Sequence, residues 1–76
     1  MKRKHRKSEF VICVKNRGYK ASLELRKIYR ALPDAEGEAH RLIRVVDESH
    51  EDYLYPASFF IPIELPAPVE RALAAS

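Results

Sequence analysis

A dense cluster of cations opens the chain. Five basic side chains fall within six residues: Lys2, Arg3, Lys4, Arg6 and Lys7. Such a cluster attracts phosphate backbones and other anionic surfaces, and counterion release makes this binding steeply dependent on salt. The same composition also suits a tail that only keeps the protein soluble, or one that lies on an anionic membrane surface. We therefore predict a flexible basic tail over residues 1–9 and leave its partner open.

Three more cations follow the first apolar segment, at Lys15, Arg17 and Lys20. They surround Gly18, which adopts positive φ readily, so the pattern predicts a turn at this point. If the chain binds nucleic acid through its tail, we expect these three side chains to add further phosphate contacts.

Aromatic residues are the second class of side chain that could contact a partner. Tyr53 and Tyr55 alternate around Leu54, so both lie on one face of a predicted strand. With Leu54 in the core, the two tyrosines would form an exposed patch. With the tyrosines in the core, only their hydroxyl groups would reach the rim. Phe60 is the third candidate. In the last strand Phe59 and Ile61 alternate with it, so we expect Phe59 and Ile61 to face the core and Phe60 to face the other side. Tyr53, Tyr55 and Phe60 form the predicted partner-binding surface.

An acidic segment has the composition of a cation-binding loop but not its pattern. Asp47, Glu48, Glu51 and Asp52 place four carboxylates within six residues. The order of acidic residues, the glycine and the closing glutamate of an EF-hand are absent. We expect a solvated hairpin turn instead, in which His50 is a candidate for positive φ.

The remaining reactive residue types give no sign of catalysis. Cys13 lies among apolar neighbours and is predicted to be a small buried side chain, not a nucleophile. His5, His40 and His50 do not stand at metal-ligand spacing. Two glycines cannot build a glycine-rich phosphate loop, and no hydrolase or metalloprotease motif occurs. We predict a protein that is not an enzyme, with no catalytic residue, metal site or cofactor.

Length and composition limit the architecture. The chain has 76 residues, of which 46% are hydrophobic and 33% charged, as in one small folded domain. Its single cysteine cannot form an internal disulfide. No apolar run is long enough for a membrane-spanning helix. We therefore expect a cytoplasmic protein.

The net charge of +3 conceals an uneven distribution. Residues 1–9 carry +4, residues 10–33 carry +5 and residues 34–76 carry −6. The body of the protein is therefore basic early in the sequence and acidic late.

Short runs of β-branched and aromatic residues predict four or five strands. They fall at residues 10–14, 27–32, 41–46, 53–55 and 59–65. Residues 21–32 also fit a helix by their apolar spacing, and this alternative stays open. Residues 34–40 have the composition of a loop, and Pro62 predicts that the last strand lies at an edge or contains a bulge. The prolines at 66 and 68 introduce a short C-terminal helix within residues 66–76.

One segment resembles a known fold. Tyr55-Pro-Ala-Ser-Phe-Phe-Ile-Pro-Ile is similar to the end of SH3 domains, where a single 3₁₀ turn precedes the last strand. The order of strands and loops over residues 10–65 also resembles small, uncharacterised bacterial proteins with an SH3-like barrel. This resemblance implies a mainly β fold, a small, partly open barrel of four to five strands, and it implies no particular function.

Peptide-binding SH3 domains differ from this chain in two respects. They have an acidic loop after the first strand and a tryptophan in the groove, whereas this chain has a basic loop and no tryptophan. We therefore expect no recognition of proline-rich peptides. The predicted function is a non-catalytic module that binds an unknown protein partner, and the alternative is a nucleic-acid-binding accessory protein. We expect a monomer or a weak homodimer, formed through an exposed edge such as the strand at residues 10–14.

Overall fold

A computed structural model describes residues 10–74. Five antiparallel strands form one open sheet in the order β4-β3-β2-β1-β5. The strands are β1 (Phe10–Cys13), β2 (Ile28–Leu32), β3 (Leu42–Val46), β4 (Asp52–Pro56) and β5 (Phe60–Ile63). A single 3₁₀ turn, Ala57–Phe59, joins β4 to β5, and the helices are α1 (Ala35–Ala39) and α2 (Ala67–Ala74). The predicted mainly β fold with a short C-terminal helix is confirmed.

The strand order corrects one expectation about the edges. β1 lies between β2 and β5, so its backbone is paired on both sides and it offers no edge for dimerisation. β5 is an edge strand, as Pro62 predicted.

The ambiguous segment before β2 is a series of turns that ends in a strand. Leu23 is buried in the core, and its amide donates to the Tyr19 carbonyl at 2.9 Å. Arg26 has φ 64°, which interrupts any helix, and its amide donates to the Cys13 carbonyl at 2.7 Å. The strand interpretation of residues 27–32 is confirmed, because β2 pairs with β1 there. The left-handed conformation of Arg26 turns the chain back toward β1.

The prediction of a loop at residues 34–40 is wrong, because α1 forms there. Asp34 has extended backbone angles, and its carboxylate accepts a hydrogen bond from the Gly37 amide at 2.8 Å, as an N-cap does. Arg41 follows with φ 61°, a left-handed residue that ends the helix. The cap and the terminator make a helix of five residues from a segment whose composition resembles a loop.

The inner face of the sheet carries the core. Residues that pair directly across two strands point to the same face, so Val11 with Tyr29 and Cys13 with Phe60 fix its register. The buried cluster consists of Val11, Cys13, Leu23, Tyr29, Val45, Tyr55 and Phe60. Cys13 is buried, as predicted, and its thiol donates to the Lys15 carbonyl at 3.2 Å.

The expected alternation in the last strand is shifted by one residue. We predicted that Phe59 and Ile61 face the core. Phe59 does pack against it, but Phe60 is buried in the core and Ile61 is exposed. Phe59 belongs to the 3₁₀ turn, so the alternation starts at Phe60, opposite Cys13.

The outer face of the sheet is covered at one end. There α1 packs against β3, and the Gly37 backbone lies close to Leu54 of β4. Arg44 reaches from β3 to Asp34 at 2.6 Å and to Asp52 at 3.0 Å. The opposite end of this face, formed by β2, β1 and β5, contains exposed isoleucines that are described below.

Two tyrosines attach the hairpin between β3 and β4 to the core. The Tyr55 hydroxyl donates to the Asp47 carboxylate, and the Tyr29 hydroxyl donates to Glu48. Within residues 10–74, Asp47 is the only charged residue that is buried. The amide and the hydroxyl of Ser49 donate to the second carboxylate oxygen of Asp47, at 2.8 and 2.5 Å respectively. His50 has φ 69°, so the candidate position for positive φ is confirmed.

α2 is amphipathic but is not deeply packed. Pro66 begins its first turn, because the Pro66 carbonyl accepts hydrogen bonds from the amides of Val69 and Glu70 at 2.9 and 3.0 Å. Val69 and Leu73 remain exposed. Among residues 10–74, no helix has the length and apolar character needed to cross a bilayer.

We predict that Tyr55→Phe destabilises the protein by about 1–3 kcal/mol, because the buried Asp47 carboxylate loses a hydrogen-bond donor. Tyr53→Phe is the matched control, since the Tyr53 hydroxyl donates to Glu51 at the surface. We expect that change to stay within about 0.5 kcal/mol. Urea unfolding followed by circular dichroism measures both values, and equal losses would contradict the assignment of the buried interaction.

Candidate functional site

The outer face exposes a row of isoleucines across three strands. Ile12 of β1 pairs with Ile28 of β2 on one side and with Ile61 of β5 on the other. Ile28 is 37% exposed and Ile61 is 52% exposed. Ile12, between them, is half-buried. The three side chains point to one face at the same level of the sheet, so they form a continuous apolar strip.

This strip continues into the loop that follows β1. Val14 follows the end of β1, and its amide donates to the Phe59 carbonyl at 2.8 Å, so the loop leaves β1 beside the 3₁₀ turn. Val14 and Leu25 are both exposed. We use the name outer patch for the exposed apolar surface of Ile12, Val14, Leu25, Ile28 and Ile61.

A basic groove adjoins the outer patch. It is open to solvent, with a volume of about 320 Å³. Its lining residues are Val14, Lys15, Asn16, Arg17, Lys20 and Leu25. The structure thus brings together the three cations that the sequence singled out, Lys15, Arg17 and Lys20, and two aliphatic side chains line the same groove.

Hydrogen bonds within the loop hold the groove in shape. The Asn16 side-chain amide donates to the Leu23 carbonyl at 3.0 Å, and the Tyr19 amide donates to the Asn16 carbonyl at 2.8 Å. Gly18 has φ 84°, which confirms the predicted turn. Because Leu23 is buried in the core, these bonds attach the wall of the groove to the rigid part of the protein.

The groove and the hairpin between β3 and β4 carry opposite charge. Lys15, Arg17 and Lys20 form no ion pair with any other residue of the range 10–74. Two other cations of the described chain are paired: Lys27 lies 2.7 Å from Glu48, and Arg44 bridges two aspartates. The groove therefore presents uncompensated positive charge.

Lys2, Arg3, Lys4, Arg6 and Lys7 of the tail lie outside the described residues.

The proposed aromatic surface of Tyr53, Tyr55 and Phe60 needs correction. Tyr55 is 3% exposed and Phe60 is buried beside it, so both are core residues, whereas Tyr53 is 49% exposed. The two tyrosines share a face, but Tyr53 lies near the start of β4, beside the hairpin and beyond the core.

Tyr19 is the exposed aromatic residue nearest the basic groove in sequence, but its ring contacts the core. Its ring packs edge-on against Tyr55 at 5.0 Å between centroids and against Phe59 at 6.0 Å. Tyr55 belongs to the inner face, so the Tyr19 ring is directed toward that side of the sheet and does not line the groove.

Sequence reasoning missed the apolar residues of the outer patch. We expected Ile61 to face the core and gave Leu25 and Ile28 no role. The available signal was the clustering of aliphatic residues at alternate positions of β1, β2 and β5. Only the pairing register, which the sequence does not specify, shows that Ile12, Ile28 and Ile61 lie side by side.

Hydrogen bonds and burial shift the pKa values of several groups in and beside the hairpin. Burial works to raise the pKa of Asp47, but hydrogen bonds from Ser49 and Tyr55 outweigh it, so this pKa lies below its ordinary value of 3.8. Hydrogen bonds from Lys27 and Tyr29 lower the pKa of Glu48 below 4.5. Burial, together with the hydrogen bond to Asp47, raises the pKa of Tyr55 to about 12. Asp47 and Glu48 therefore stabilise the hairpin when their carboxylates are charged.

Metal chemistry finds no support in the described part of the chain. Within residues 10–74, no group of three histidine, cysteine or acidic side chains could hold a metal ion. The carboxylates of the hairpin accept hydrogen bonds from tyrosine, serine and lysine side chains instead.

Compared with known protein families, characterised proteins and solved structures, the chain matches none of them.

We predict that the free energy of unfolding falls as the pH drops below about 4.5. The pKa values of Asp47 and Glu48 are depressed by folding. The stability that they contribute is therefore fully present at pH values above their pKa in the unfolded chain. It is lost as the pH falls through their pKa in the folded protein. Glu48→Gln should make this decline shallower, because one of the two groups no longer titrates. Urea unfolding at several pH values between about 7 and 3 measures the slope, and a flat profile for the unmodified protein would contradict the assignment.

Proposed function

We propose that this protein is a non-catalytic interaction module that binds a macromolecular partner through the outer patch and the basic groove. One observation carries the proposal. The cross-strand row of Ile12, Ile28 and Ile61 is left exposed, and it continues into a groove lined by unpaired cations.

The arrangement of these residues, and not their number alone, is what distinguishes a binding surface from an ordinary protein surface. Single exposed apolar side chains are normal on soluble proteins, whereas contiguous apolar patches rimmed by charge mark sites of contact. A rigid sheet also supplies a preformed surface, so little entropy is lost when a partner docks on it. The outer patch meets both conditions, because paired strands hold three of its members at one level.

The proposal includes the type of module. We propose a domain of the SH3-like type, supported by the position of β1 between β2 and β5 and by the single 3₁₀ turn before β5. We further propose a cytoplasmic location, in keeping with a single cysteine that cannot form an internal disulfide.

Nucleic-acid binding is the second candidate function. The observation that favours it is the convergence of Lys15, Arg17 and Lys20 on one groove, with the basic sequence at residues 1–9 as a further source of phosphate contacts. Binding of this kind would weaken steeply between low and moderate salt, whereas an apolar protein interface would persist.

Photo-crosslinking in cells that express the protein tests the leading proposal. We expect a benzophenone-bearing amino acid at Ile61, the most exposed isoleucine of the outer patch, to give discrete covalent adducts with a partner macromolecule. The same group at Ala39, at the end of α1, is the control and should give none, because Ala39 is exposed but lies away from the patch. Equal labelling from both positions, or none from Ile61, would contradict the proposal.

A further inference from the structure

We infer that the outer patch and the basic groove together bind an acidic, amphipathic protein segment. Its apolar side chains would pack on Ile28 and Ile61, and its carboxylates would pair with Lys15, Arg17 and Lys20. The inference rests on the proposed function and names the chemical class of the partner.

Charge complementarity is the first argument. Three cations line a single groove, and none of them forms an ion pair with another residue in the range 10–74. Like charges gathered on one groove repel one another, and an anionic partner relieves that repulsion. Arg30, which is exposed on the outer face beside Ile28, extends the positive rim along β2.

The lining of the groove favours a protein over a nucleic acid. Bases of single strands bind by stacking on aromatic rings, but the apolar side chains in this groove are the aliphatic Val14 and Leu25. The exposed aromatic rings of the described chain lie elsewhere. Tyr19 packs against Tyr55 toward the inner face, and Tyr53 lies beside Glu51, whose carboxylate would repel phosphate. A groove lined by both cations and aliphatic side chains suits a segment that combines carboxylates with leucine-like side chains.

Two possible occupants come from this chain itself. The segment of residues 1–9 carries +4 and has no apolar residue after Met1, so it matches neither the charge nor the apolar character of this surface. A second copy would bring residues 34–76, which carry −6, and it is therefore a competing occupant that the experiment must separate.

Fluorescence polarisation with a designed peptide tests the inference on the full chain. The probe is a labelled peptide of about twelve residues, rich in glutamate, with leucines at positions i, i+3, i+4 and i+7. We expect micromolar binding at about 150 mM salt. A peptide with serine in place of each leucine should bind at least about tenfold more weakly, and so should an oligothymidine of similar length.

Matched variants locate the contact. Arg17→Glu should weaken peptide binding about tenfold, because a groove cation that attracts the carboxylates of the peptide is replaced by an anion that repels them. Arg71→Glu on α2 makes the same change of charge away from the groove and should alter binding by less than about twofold. Ile61→Thr keeps a β-branched residue in β5 and should cost about tenfold in affinity with thermal unfolding unchanged.

Three results would overturn the inference. The first is an absence of peptide binding up to about 1 mM. The second is tighter binding of the oligothymidine, which would support a nucleic-acid partner. The third is a dimer in sedimentation velocity that Arg17→Glu dissociates, which would assign the surface to a second copy. If the Ile61 crosslink identifies a protein while the peptide fails to bind, the partner class is wrong but the proposed function stands. If both fail, the function is also wrong.

Discussion

The buried carboxylate of Asp47 sets the main constraint on this fold. A charge removed from water must be hydrogen-bonded, and Tyr55 together with Ser49 supplies the donors. Glu48, the next residue, accepts from Tyr29 in the same way, and its amide donates to the Ser22 carbonyl at 3.0 Å. The hairpin between β3 and β4 is thereby tied to the core and to the loop after β1. Loss of these hydrogen bonds would leave a charge buried without partners, which is far costlier than loss of a surface ion pair.

This constraint divides the molecule into two faces with different roles. The tyrosines at 29 and 55 are committed to the inner face, where their rings fill the core and their hydroxyl groups hold the hairpin. Among residues 10–74, the β2–β1–β5 end of the outer face has no comparable network of side-chain hydrogen bonds, and α1 packs on the β3 side. A sheet whose core occupies one face commonly has polar residues on the other, and the exposed isoleucines at 28 and 61 are therefore the basis of the proposed contact surface.

The sequence predicts the local features well and the non-local ones poorly. The strand at Leu42–Val46 and the turn at Gly18 follow from a β-branched run and from glycine chemistry, which act over a few residues, whereas the 3₁₀ turn after Pro56 was implied by the resemblance to SH3 domains. α1 was missed because one capping carboxylate, Asp34, turns a loop-like segment into a helix. The outer patch depends on strand register. A shift of one residue in the pairing at Phe60 exchanges the side chains of β5 between the two faces of the sheet. The three cations of the groove could be named from the sequence, but their convergence required the folded loop.

Methyl NMR of the isoleucines tests most directly whether the outer face is the binding face. Ile28 and Ile61 lie on the outer patch, whereas Ile43 pairs with Tyr55 and packs against the core on the inner face. In a titration of the full chain with the acidic amphipathic peptide, we predict progressive shifts of the Ile28 and Ile61 methyl signals, while the Ile43 signal stays constant. Saturable binding that moves the Ile43 methyl as much as the Ile61 methyl, or that leaves the outer methyls unmoved, would contradict this division of the two faces.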